Sequence, residues 1–122
     1  SYPPVVDDSE NPAPDTPVTP ELTSCRLVVK VTTSIDWYDK YIYCWENDQL
    51  LLGAWPGTKL DWDKQDGDYY VYYHDFDKSM NGKTLNYVVN KGEGGNGNQT
   101  NDLSVVLNGA ETTVTIETSD LK

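Results

Sequence analysis

From Ser24 onward, apolar and polar positions alternate with a period of two. In CRLVVKVTT, Cys25, Leu27, Val29 and Val31 fall on one face of an extended chain, and Arg26, Val28, Lys30 and Thr32 on the other. YIYCWE from Tyr41, a short LLLGAW from Leu50 and YYVYYHDF from Tyr69 read as further strands, as do TLNYVVN from Thr84, DLSVVL from Asp102 and TTVTIET from Thr112. The segments between them are turn-forming: ENDQ, DKQDGD, KGEGGNGNQTN and NGAE. No stretch carries the 3.6-residue period over a helical length, and no internal repeat is present. Short strands joined by turn-rich loops predict an all-β fold over residues 24–122, an antiparallel β-sandwich of immunoglobulin-like type.

The preceding residues, 1–23, obey a different pattern. They hold six of the chain's seven prolines and five acidic residues, with no Lys or Arg. Such sequence buries too little apolar surface to offset the entropy of ordering. It reads as a disordered, semi-extended linker, spanning up to ~70 Å at about 3.1 Å per residue. A linker implies further domains of the same parent protein beyond it.

Within YIYCWE, Tyr41, Tyr43 and Trp45 project from one face, and Ile42 and Cys44 from the other. A sheet in a two-layer sandwich has one inner side. Ile42 and Cys44 match the Leu27/Val29/Val31 face and are the inward pair, so Tyr41 and Tyr43 face out. Trp45 stays open at this stage, because a twist or bulge near Glu46 would turn it inward. Trp55 sits in AWPG, where Pro56 cannot donate to a sheet ladder and Pro-Gly marks a turn. It therefore belongs to a strand end or loop, either displayed beside the tyrosines or packed beneath that loop.

Composition favours display. Hydrophobic residues make up 37% of the 122, and the aromatics are nine Tyr and four Trp against one Phe. Tyr and Trp are the rings that tolerate one wet side. The formal charge of −11 makes nucleic acid and anionic membrane poor partners and leaves a neutral ligand unaffected. No apolar run approaches the roughly 18 residues of a membrane helix, so membrane insertion is not expected. Cys25 and Cys44 lack metal-ligand spacing; they read as two small buried residues or as a disulfide of an exported protein.

Catalysis and metal binding find little footing. Asp36, Asp61, Asp63, Asp66 and Asp68 gather at turn sequences, where Asp bonds its own backbone, rather than forming the paired carboxylates of a glycosidase. His74 is the single histidine and no serine lies in a nucleophile motif, so the chain is not expected to be an enzyme. DWDKQDGD opens like a calcium loop, but its glycine is at the seventh place and no glutamate closes it. A solvated hairpin is the expectation, with neither metal nor cofactor. Asn98-Gln99-Thr100 matches a glycosylation sequon, a match that would be accidental were the protein bacterial.

Uncharged neighbouring rings suit the C–H face of a sugar, and here a resemblance enters. The Tyr41-x-Tyr43 strand, Trp55-Pro56-Gly57-Thr58 followed by Leu60, and the Asn90–Leu103 segment running into Gln99-Thr100-x-Asp102-Leu103 resemble carbohydrate-binding module family 26. The likeness spans about residues 25–118. It implies a non-catalytic starch-binding domain for α-1,4-glucan, appended to amylases or other bacterial starch-handling proteins that are secreted or attached to the cell surface; the chain is expected to be a monomer. By motif its aromatic platform falls on Tyr41, Tyr43 and Trp55, with Lys91 and Gln99 as candidate polar ligands. The acidic DWDKQDGD segment and the long KGEGGNGN depart from the family pattern. The competing expectation is an immunoglobulin-like protein-interaction or spacer domain, for which the same rings would form an interface.

Overall fold

The computed structural model of the chain describes residues 21–122. The expected linker, residues 1–23, lies outside the described residues except for its last three. Nine strands follow: β1 (Ser24–Thr32), β2 (Tyr41–Glu46), β3 (Gln49–Leu50), β4 (Thr58–Lys59), β5 (Asp61–Asp66), β6 (Tyr69–Asp77), β7 (Thr84–Asn90), β8 (Leu103–Val106) and β9 (Glu111–Ile116). Two single turns of 3-10 helix, Lys78–Met80 and Thr118–Asp120, are the other regular elements described. One sheet has the order β9-β1-β6-β5; the other runs β3-β2-β7-β8, with β4 also paired to β2.

The alternation in β1 is realised residue by residue: Cys25, Leu27, Val29 and Val31 are buried, and the residues between them half-buried. Ile42 and Cys44 are buried in β2, as expected, and belong to the same apolar cluster as the β1 residues, with Leu85 and Val89 of β7 and Ile116 of β9. The two sheets thus share one core. Each fully buried Val, Leu or Ile contributes about 1.5–3 kcal/mol relative to its exposed state. Both cysteines are free thiols in that core, and no disulfide joins them. Burial pushes the Cys44 thiol up to about 12.

Three local expectations change. The pairing is not antiparallel throughout, because β9 lies parallel to β1, with Glu111 opposite Arg26 and Ile116 opposite Val31. The cause is where the chain re-enters the first sheet. β8 ends beside the start of β7, with Leu107 N donating to Lys83 O, and Arg26 N then donates to Ala110 O. From that end, β9 has to run the same way as β1. Secondly, the acidic segment is a hairpin as expected, but its turn is only Gly67-Asp68, and Asp61–Asp66 form an edge strand on β6 with a bulge between Trp62 and Lys64. All six of its residues are exposed, and their charges guard the edge against further pairing. Thirdly, LLLGAW contributes only Leu50 to a strand; Gly53 at φ 91° and the turn at Pro56 lead the remainder away as a loop.

Candidate functional site

The outer face of the second sheet is where the aromatic residues collect. Register places Tyr41 opposite Asn90, Tyr43 opposite Val88 and Trp45 opposite Asn86, and side chains directly opposite in an antiparallel pair share a face. Val88 is 3% exposed yet stands outside the core cluster, so its cover comes from this outer layer. Tyr43 is the centre of it. Its ring lies 5.8 Å from Trp45 at 51° and 5.3 Å from Trp55 at 61°. Trp45, left open by the sequence, is half-buried on the outer face and belongs to the cluster.

Trp55 reaches Tyr43 because its loop is fastened over the sheet. Gly57 N donates to Ala54 O at 2.8 Å, closing a turn that contains a cis Trp55–Pro56 bond. Gly57 has φ 93°, and a Cβ there would stand 2.0 Å from the Ile42 carbonyl oxygen, so only glycine permits this approach. Asn90 is fully buried beneath the loop: its Nδ2 donates to Pro56 O at 3.1 Å and its Oδ1 accepts from Gly92 N at 2.8 Å. Trp55 is left 40% exposed.

The remaining expected residues divide. Tyr41 shares the outer face, but its ring lies beside Gly92, where a Cβ would meet it at 3.2 Å. It flanks the ring cluster instead of stacking within it. Gln99 is brought to the site and is already engaged: its Oε1 accepts from Gly95 N at 2.9 Å, and it lies with the Trp55 ring against Gly94. Gln99 therefore shapes the glycine-rich loop that backs Trp55. Lys91 is exposed on that loop, tied in by its backbone N–H to Asn98 O, and its ammonium makes no ion pair among the described residues.

Sequence reasoning missed the polar side of the site. An open groove of about 350 Å³ runs along Tyr43 and Trp45 to Asn47, Asp48 and Leu50. Asn47 adopts φ 54°, which Asn tolerates in a tight β2–β3 turn, and its Nδ2 donates to Glu46 Oε2 at 3.1 Å. The signal was available in ENDQ, since a turn following an aromatic strand displays its polar residues at the end of the ring row. Half-exposed tilted rings, an amide and a carboxylate together offer apolar planes and hydrogen-bonding partners to a neutral ligand, with no preformed deep pocket. No family model matches the chain, and no curated protein matches it.

Proposed function

We propose that residues 24–122 form a non-catalytic module that binds α-1,4-glucan, an immunoglobulin-like β-sandwich of the kind implied by its resemblance to carbohydrate-binding module family 26. The observation that carries this is the angle between the rings. Trp45 and Trp55 flank Tyr43 at 51° and 61°. Successive glucose units of curved amylose present their faces at an angle, whereas a flat β-glucan chain suits coplanar rings. The C–H face of a glucose unit packs on each plane, and its rim hydroxyls exchange water for Asn47 and Asp48.

An open site leaves much of the sugar wet, and every hydroxyl has water as a competitor. Binding is accordingly modest, about 4–7 kcal/mol, or roughly millimolar to ten micromolar. In a secreted or surface-attached parent protein, tethering by the proline-rich segment would add avidity through neighbouring modules. The test is native electrophoresis with soluble starch, pullulan or a β-glucan cast in the gel. Retardation by starch and not by β-glucan is expected. Equal mobility in all gels would overturn the proposal and assign the rings to a protein interface.

A further inference from the structure

A second set of rings is left wet on another side of the molecule. Tyr38 is 96% exposed and Trp62 is 54% exposed. They flank a groove of about 470 Å³ where the chain crosses from one sheet to the other through Leu60, within the roughly 300–1,000 Å³ of small-ligand sites. Trp62 stands opposite Tyr72, on the core-facing side of edge strand β5, and more than half of its surface remains in solvent. Tyr72 at 5.4 Å and Tyr70 at 6.0 Å back the indole and hold it in place.

The groove is also equipped for hydroxyl groups. Lys40 lines it with only 3% of its surface exposed. Its ammonium donates to Trp37 O at 2.6 Å and lies 5.0 Å from the Tyr70 and Tyr72 rings, so it fixes a positive charge beneath the groove. On the rim, Lys59 pairs with Asp39 at 3.0 Å, beside the exposed carboxylate of Asp61. Charges of both signs sit together, which favours a neutral ligand rich in donors and acceptors. Lys59 is also the register partner of Tyr41, so the groove begins next to the outer face described above.

We propose that this groove is a second, independent sugar-binding site, taking an α-glucan unit on Trp62 and Tyr38 with Asp39 and Lys59 as hydrogen-bonding partners. The inference rests on the α-glucan reading of the domain. Two contacts on one domain let a single long chain be held twice.

The experiment is a maltoheptaose titration followed by the indole N–H signals of the four tryptophans. Trp37 is 7% exposed and donates its Nε1–H to Gly97 O, so it serves as the internal control. Trp45, Trp55 and Trp62 are expected to move, and Trp62 still to titrate in Trp55→Ala. Movement of Trp45 and Trp55 with Trp62 stationary overturns the groove and leaves the platform standing, as does loss of the Trp62 response in Trp55→Ala. No movement of any indole overturns the α-glucan reading and the groove with it. Trp62→Ala, at an exposed edge position, is expected to weaken retention by starch roughly tenfold while leaving maltoheptaose able to shift Trp55; unchanged retention counts against the groove.

Discussion

Replacing Trp55 with alanine removes a ring of the proposed platform without opening the core. Trp55 is 40% exposed, and a tryptophan presents up to about 250 Å², so on the order of 100 Å² of ring faces solvent. A glucose unit covering about half of that, and losing an equal apolar area of its own, withdraws about 100 Å² from water, worth about 2.5 kcal/mol at 25 cal/mol per Å². The expected loss of affinity is therefore roughly seventyfold. On the stability side, the variant loses the edge contact with Tyr43 at 5.3 Å, which is worth about 0.5–1.5 kcal/mol. The Asn90–Pro56 hydrogen bond and the Gly57 turn remain to hold the loop. A melting point lower by about 4–8 °C per kcal/mol lost is then expected, with cooperative unfolding retained. Calorimetric titration with maltoheptaose, beside a thermal melt of the same sample, separates the two effects. A cooperatively folded variant that binds within about threefold of the parent would show that the ligand does not touch this ring, and the area estimate with it would be refuted.

Other perturbations probe the scaffold. Gly57→Ala places a Cβ 2.0 Å from Ile42 O at φ 93°, and about 4 kcal/mol of stability should be lost; an unchanged denaturation midpoint would mean that the turn is not held as described. Cys25 and Cys44 are free and buried, so a thiol reagent should find neither in the native protein and both after denaturation without reductant. Burial raises the Cys44 thiol from 9.0 to about 12 and the Tyr87 hydroxyl from 10.0 to about 12. The folded chain keeps these protons where the unfolded chain loses them. The contribution of these two groups is thus complete below about pH 9 and falls between there and pH 12, by up to ~1.4 kcal/mol per pH unit for each group. Urea midpoints at pH 8, 10 and 11 should decline in that order, and a flat series would contradict the burial of both groups.

Alternation is a local property, which is why β1 and β2 were legible. A residue's face follows from its parity once the chain is extended, and Leu27, Val29, Val31, Ile42 and Cys44 are all buried where parity put them. The same rule put Tyr41 and Tyr43 on the outer face. It could not settle how far the strand keeps its parity at Trp45, because that depends on pairing with Leu50 and Asn86. β5 carried no apolar alternation to read, being exposed along its whole length and defined by its ladder to β6. The parallel pairing of β9 depends on which end of the molecule the preceding loop delivers the chain to.

Polar residues in the interior escape a reading that equates polar with exposed. Lys40 is buried because a carbonyl at 2.6 Å and the rings of Tyr70 and Tyr72, each 5.0 Å away, replace its water. Burial is the main influence on its ammonium and lowers its pKa. Asn90 is fully buried because its amide satisfies the loops bearing Pro56 and Gly92 from both ends. Neither arrangement exists until distant segments have packed. The loop residues of the candidate site share that dependence. Gln99 came to Trp55 because glycines at 92 and 94 let a loop close against the Tyr41 and Trp55 rings, while Lys91, one residue before that constraint, was left on the surface. Strand spacing can therefore nominate the rings of such a face, but whether a loop side chain such as Gln99 or Lys91 reaches them follows from where glycine allows the backbone to come close.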